Sequence, residues 1–323
     1  MTTETKQAEL QETAGRIRAW QEERKISDSQ MCRDFAGLGS TKTYTRIVAG
    51  DTEELDVDRW QRDYEAVWSL IQVLSESESD DDELYPDLTT VLDVRKAVAD
   101  VMREKGNSRL VLVQGPSGSG KTTAAQLLRG RYGSRVVLCE ATEIWKENMN
   151  AMLSAILSEF GVKNPKPSAA GKFETLIEKL GATRVCLVID EAHHLGPKTL
   201  NLVKSLINQT PGEIVLLAMG TLWNRLETQA YAEARQLTHN RLSERIRFDG
   251  VEQVDVEKIL ERRLGLQGGD AKAAAQALRP LAANNGYLKF IRHVCRKAMK
   301  ISGKSAVTLE MVQRAAAQVV GTR

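Results

Sequence analysis

Gly115-Pro116-Ser117-Gly118-Ser119-Gly120-Lys121-Thr122 follows the aliphatic run Leu110-Val111-Leu112-Val113 and leads into a segment of helical composition. A short apolar run that leads into a glycine-rich loop reads as a buried strand, and Thr122 then opens a helix. The glycines let successive backbone N–H groups turn inward, and the helix N-terminus adds partial positive charge. The loop is therefore suited to cradling phosphates. The nucleotide-binding set is Gly115, Pro116, Ser117, Gly118, Ser119, Gly120, Lys121, Thr122 and the adjoining Thr123. In this pattern Lys121 reaches the β- and γ-phosphates and the Thr122 hydroxyl ligates Mg²⁺, so ATP and Mg²⁺ are the implied cofactors.

A second apolar run, Val185-Cys186-Leu187-Val188-Ile189, ends in Asp190-Glu191. Carboxylates at the end of such a strand complement a phosphate loop. Asp190 is expected to hold Mg²⁺ through its water shell, and Glu191 to orient or deprotonate the attacking water. His193 and His194 follow, so residues 190–193 spell DEAH. A two-core helicase of that signature needs roughly 300 or more residues for its cores. Only about 235 of the chain's 323 residues follow position 87, too few for two cores. Adjacent histidines are expected to point apart, and no cysteine cluster lies near. They therefore read as packing or polar-network residues and not as zinc ligands.

Three later positions add to this site. Ala218-Met219-Gly220-Thr221 closes the run Ile214-Val215-Leu216-Leu217; Thr221 either senses the γ-phosphate and water or simply ends the strand. Asn240-Arg241-Leu242-Ser243-Glu244-Arg245-Ile246 offers Arg245 first, and Arg241 second, as a finger for a neighbouring subunit's nucleotide. Supplied in trans, such an arginine accelerates hydrolysis by ~10³-fold or more; an intrachain salt bridge is the competing reading. Gly286-Tyr287-Leu288-Lys289 opens a late helix from which Lys289 either reaches back to the phosphates or faces water.

The aliphatic runs, with Val136-Val137-Leu138-Cys139 among them, alternate with helical segments at 122–129, 147–160, 173–180 and 198–208. That alternation predicts an α/β core: a parallel sheet covered by helices on both faces. Past Gly250 only helical patterns remain, at 254–264, 271–281, 287–300 and 308–319, and they read as a helical lid. Before the sheet, residues 1–74 read as all-helical. Leu10, Ala14, Ile17 and Trp20 share one helix face, and a longer helix is expected over 57–74. Ser27 or Asp28 caps a short helix through Ala36, Gly37-Leu38-Gly39 turns, and Ser40 or Thr41 caps another through Val48. This is a helix-turn-helix pattern. Its second helix offers Lys42, Thr43, Tyr44 and Arg46 to phosphates and base edges, with a protein-interaction domain as the competing reading. Ser75-Glu76-Ser77-Glu78-Ser79-Asp80-Asp81-Asp82-Glu83 contains no apolar residue and reads as a linker. The expected divisions are 1–74, an acidic linker at 75–87, an ATPase core at 88–250 and a lid at 251–323.

The hydrophobic fraction of 42% fills an ordinary core, and the 5% of aromatics makes that core aliphatic. A net charge of +2 leaves any nucleic-acid surface to local clustering. Between Arg279 and Lys304 there is no acidic residue, and Arg292, Arg296 and Lys300 fall on one helical stripe. Such a stripe binds DNA phosphates without reading sequence, or is a solvated face. The four cysteines are scattered with no CxxC pair, no apolar run is long enough for a membrane helix, and the N-terminus lacks a signal-like segment. The expectation is a soluble cytoplasmic chain.

Together these residues resemble an AAA+ ATPase, and more narrowly the MuB-like family of transposition ATPases, with relatives TnsC and TniB. The phrases Asp190-Glu191-Ala192-His193-His194-Leu195-Gly196, Leu217-Ala218-Met219-Gly220-Thr221 and Arg241-Leu242-Ser243-Glu244-Arg245-Ile246 carry the narrower likeness. Thr221 and Lys289 depart from it, standing where many AAA+ members have asparagine and arginine. The resemblance implies ATP-dependent assembly into a helical filament or ring around double-stranded DNA with little sequence preference. It also implies recruitment and activation of a DDE transposase, disassembly on hydrolysis, and a bacterial or phage-infected host cytosol. Lys146, shortly after the second strand, is the residue it suggests for tracking the DNA backbone. A helicase loader or replication-initiation ATPase is the alternative function, and a regulatory ATPase whose N-terminal helices bind protein is a third.

Overall fold

Ser27 and Ser40 each end an extended segment by accepting a hydrogen bond from a backbone N–H three residues on, at Gln30 and Thr43, and so start the two short N-terminal helices. The computed structural model describes residues 3–24, 26–79, 85–103, 106, 108–182, 184–303 and 305–321. Its N-terminal part comprises α1 (Thr3–Glu23), α2 (Asp28–Asp34), a 3₁₀ turn (Ala36–Leu38), α3 (Thr41–Val48) and α4 (Val57–Ser79). Helix α2 ends two residues short of the expected Ala36, where the 3₁₀ turn begins. Leu10, Ala14 and Ile17 of α1 meet Tyr44 and Ile47 of α3 and Tyr64, Val67 and Ile71 of α4 in a core without solvent exposure. Each large side chain buried this way contributes roughly 1.5–3 kcal/mol of transfer free energy.

The acidic run does not begin as a linker. Residues 75–79 continue α4, because a helix already nucleated by packed residues propagates through serine and glutamate at small cost. Positions 80–84 lie outside the described residues, and by Tyr85 the chain is buried again. A helix absent from the sequence reading, α5 (Thr89–Arg103), then precedes the sheet. Asp255 fixes its start by accepting from the Thr89 N–H at 2.9 Å and the Thr89 hydroxyl at 3.0 Å.

The sheet comprises β1 (Leu110–Gln114), β2 (Val136–Glu140), β3 (Cys186–Asp190), β4 (Glu213–Ala218) and β5 (Leu242–Arg247). Between them run α6 (Lys121–Tyr132), α7 (Met149–Glu159), α8 (Ala169–Ala182), α9 (Pro197–Gln209), α10 (Thr221–Leu226) and α11 (Gln236–Asn240). All pairings are parallel, in the order β2-β3-β4-β1-β5. Strand alternation splits the aliphatic runs between two cores. Val111, Val113, Val188, Val215 and Leu217 face α5, α6 and the C-terminal helices, while Leu110, Leu112, Leu187, Ile189, Ile214 and Leu216 face α7 and α9. A sheet buried on both faces explains why these strands read as unbroken apolar runs. The strand order sets β4 between β1 and β3, so the residues following all three meet at the sheet's carboxyl edge, where ligands of open α/β sheets bind.

The lid consists of α12 (Gln253–Leu264), α13 (Gly268–Asn285), α14 (Leu288–Ser302) and α15 (Leu309–Gly321). Gly265, Gly286 and Gly303 each stand just past a helix end with positive φ, the conformation that lets the chain reverse. The N-terminal helices dock on the back of α6. Asp63 accepts hydrogen bonds from the Ser134 backbone N–H and, at 3.1 Å, from its hydroxyl, and Leu127 of α6 packs into the N-terminal core. No helix among the described residues is long and apolar enough to cross a membrane.

Candidate nucleotide-binding site

β1 delivers the chain to Gly115, and Gly118 and Gly120 then take φ of +83° and +94°, backbone angles that side-chain-bearing residues rarely adopt. Lys121, 5% exposed, donates from Nζ to the Gly115 and Pro116 carbonyls, each at 2.9 Å. Burial lowers its pKa, against the opposing pull of Glu191 and Asp190. Ser119 Oγ is buried without a hydrogen-bond partner. A buried cation resting on two carbonyls beside an orphaned hydroxyl fits an anionic ligand, and phosphate oxygens accept from both groups.

Asp190 ends β3 at 4% exposure, and its Oδ1 accepts the Glu191 N–H at 2.8 Å. Thr122 is exposed in the first turn of α6. A buried carboxylate and an open hydroxyl supply the hard oxygen donors that suit Mg²⁺. Glu191 adopts φ 51° and ψ 31°, a left-handed conformation that costs a non-glycine residue of order 1–3 kcal/mol. This turn swings the chain into a 3₁₀ segment, Ala192–His194, and brings the two histidines together. Their ring centroids are 4.3 Å apart and the planes 35° from parallel, contrary to the expected divergence. The αL residue ahead of them and the tight helical turn overcome the splay of an extended backbone. His193 Nδ1 stands 3.1 Å from Glu191 Oε2 without hydrogen-bond alignment, and His194 Nδ1 lies 3.0 Å from Glu143 Oε2.

Thr221 opens α10 and lines a cleft with Gly115, Pro116, Asn224, Arg245 and Tyr287. Asn224 escaped the sequence reading, although its place one helical turn after Thr221 was a usable signal. Arg225, also missed, donates to the His193 carbonyl and ties α10 to the acidic turn. Arg245 is held within its own chain: Nε donates to Gln114 Oε1 at 2.7 Å, and the guanidinium stacks 3.6 Å from the Trp223 ring centroid. Arg241 Nε donates to Asn208 Oδ1 at 2.9 Å. Among the described residues neither forms the intrachain salt bridge considered from sequence; both donate to neutral acceptors. Lys289 is exposed in the first turn of α14, beside Gly118.

The DNA-contact expectations divide. Tyr44 has no exposure and donates its hydroxyl to Gln21 Oε1 at 2.6 Å, so it is a core residue and not a base reader. Its polar tip had suggested a surface role, but its spacing with Ile47 puts it on the buried face of α3. Arg46 is clamped by Asp51 at 2.7 and 3.1 Å, whereas Lys42 is exposed and Thr43 half-buried. Arg292 and Arg296 are half-buried and engaged within the chain, so the stripe of basic residues is not a free face; Lys300 is exposed. Lys304 lies outside the described residues. Lys146 is exposed and pairs with Glu143 at 3.3 Å.

Residues 103–226 match the family described as AAA domain. No curated protein sequence matches the chain. Among solved structures, Cdc6p from Pyrobaculum aerophilum is 18% identical, with a TM-score of 0.56 over 76% of this chain and 71% of that one. The Orc1 protein of Aeropyrum pernix, solved in complex with DNA, is 21% identical, with a TM-score of 0.48 over 76% and 68%. RuvB of Thermotoga maritima is 17% identical, with a TM-score of 0.43 over 71% and 70%. The Cdc6p likeness is one of fold: a parallel five-stranded AAA+ core followed by a helical C-terminal region. With its phosphate loop, acidic strand end and matched segment in one site, the chain carries an AAA-type P-loop ATPase domain.

Proposed function

We propose that the chain is an ATP-dependent DNA-binding transposition protein. It assembles on target double-stranded DNA, recruits and activates a DDE transposase, and comes apart when it hydrolyses ATP. The observation that carries the reading is the direct bond between lid and phosphate loop, Leu288 N–H to the Gly118 carbonyl at 3.1 Å. Nucleotide in that loop acts on the lid's position, and a lid that moves with nucleotide couples ATP to assembly. The transposition role rests on the resemblance of three sequence phrases to MuB-like ATPases.

In this reading Lys121, the loop residues 115–123 and Lys289 bind ATP, Thr122 and Asp190 hold Mg²⁺, Glu191 activates water and Thr221 senses the γ-phosphate. Mg²⁺ supplies charge neutralisation at the phosphates. Exposed Lys42, Lys146 and Lys300 contact DNA phosphates, and Arg245 leaves its place on Trp223 to reach a neighbour's nucleotide. Duplex binding followed by anisotropy, with and without ATP, tests the coupling. The reading requires affinity that rises at least ~10-fold with ATP and falls steeply with salt. Equal affinity in both states overturns it. Pull-down of a helicase component, and no transposase, selects the loader alternative.

A further inference from the structure

Glu191, His193 and His194 each place a ligating atom within 4.8 Å of the others'. We propose that these three side chains form a site for a divalent transition-metal ion of the Zn²⁺ class, and that its occupancy withdraws Glu191 from water activation. The site is separate from the Mg²⁺ position. Two imidazoles and one carboxylate suit Zn²⁺, Ni²⁺ or Cu²⁺, whereas Mg²⁺ prefers oxygen donors and ordered water.

Four observations support it. His193 Nδ1 is buried with no hydrogen-bond partner, yet lies 3.1 Å from Glu191 Oε2. Metal–ligand bonds of ~2.0–2.2 Å put adjacent tetrahedral donors roughly 3.3 Å apart, so this pair is already near bridging distance. His194 is oriented from outside by Glu143, whose Oε2 lies 3.0 Å from Nδ1, the carboxylate–histidine arrangement that commonly backs a metal ligand. With Nδ1–H directed at Glu143, the lone pair of that ring is on Nε2.

The backbone also holds the cluster in place. Gly196 lies so close to the Lys146 carbonyl that any Cβ there would clash with it, so the absence of a side chain lets the loop bearing Glu143 approach the loop bearing His194. Arg225 anchors the His193 carbonyl. Three protein donors leave an open position for water or phosphate oxygen, as in inhibitory or catalytic sites and unlike closed structural ones.

This inference rests on Glu191 being the activating carboxylate, so binding and inhibition are to be measured separately on the full chain. Metal-stripped protein would be titrated with Zn²⁺ against a chromophoric chelator, and Mg²⁺-ATPase followed across the same range. One Zn²⁺ per chain is expected to bind, with affinity falling ~10-fold or more in both His193→Ala and His194→Ala. Zn²⁺ is expected to inhibit the unmodified chain and to need ~10-fold more metal against His194→Ala, whose zinc-free turnover stays within about threefold. Co²⁺ should give a visible spectrum lacking sulfur charge-transfer bands, which separates this site from the thiols. Absent binding, or binding unchanged in the folded His194→Ala chain, overturns the proposal. Binding that depends on both histidines without inhibition retains the site, and instead removes Glu191 from water activation.

Discussion

The backbone N–H of Leu288 donates to the carbonyl of Gly118 at 3.1 Å, so the first turn of the lid helix α14 is bonded to the crown of the phosphate loop. Gly118 permits this contact in two ways. Its φ is +83°, and a Cβ there would stand 2.4 Å from the Gly286 carbonyl oxygen. Gly118→Ala is therefore expected to lower ATP affinity at least ~10-fold through strain and a blocked lid contact, while the chain stays folded. Calorimetric titration with ATP, beside a melting curve, checks this; undiminished affinity would contradict the contact's importance.

Glu191 is strained, partly exposed and adjacent to the buried Asp190. Glu191→Gln preserves its size but removes the base, so turnover should fall by ~10²-fold or more while ATP binding persists. Single-turnover hydrolysis separates the two effects. Near-normal chemistry in this variant would transfer the role to another residue.

Arg245 rests on Trp223 and Gln114 of its own chain, with burial foremost in lowering its pKa and Arg247 adding to the effect. If it acts in trans, chains carrying Arg245→Ala and chains carrying Glu191→Gln should complement each other when mixed. The Glu191→Gln chain then supplies the arginine and the other chain supplies the base. Each alone should be slowed, by up to ~10³-fold for the arginine. Activity of the mixture no greater than the sum of its parts would favour a cis role.

Burial raises the pKa of Asp255, and the Thr89 N–H and hydroxyl oppose the shift only in part. Between the ordinary carboxyl value and this raised one, the folded chain holds more protons than the unfolded, so this group's contribution to stability falls as pH rises. The stability of the unmodified chain minus that of Asp255→Asn should therefore decrease as pH rises above the ordinary carboxyl range of about 4. Urea unfolding at several pH values measures it, and a difference that grows with pH would reverse the assigned shift.

The sheet was legible because strands buried on both faces leave unbroken aliphatic runs, and the phosphate loop and the acidic strand end carry their chemistry in adjacent residues. Leu88, just ahead of α5, and Val91, Val94 and Val98 within it have helical spacing, which the neighbouring acidic run obscures. The pairing of His193 with His194 is not legible in the sequence, because it depends on a left-handed backbone at Glu191 that nothing local announces. Tyr44 and Arg292 show the same limit for surfaces. Residue type suggests contact with DNA, whereas tertiary packing buries Tyr44 completely and leaves Arg292 half-buried and engaged within the chain.

Nucleotide-controlled assembly on DNA is most directly tested by electron microscopy of the chain with duplex DNA, with and without ATP, beside Lys121→Ala. Lys121 is the buried cation of the phosphate loop, and its removal should abolish nucleotide binding. Ordered assemblies on DNA are expected with ATP alone, and none with the variant. Bare DNA in every condition, or the same assemblies without nucleotide, would contradict it.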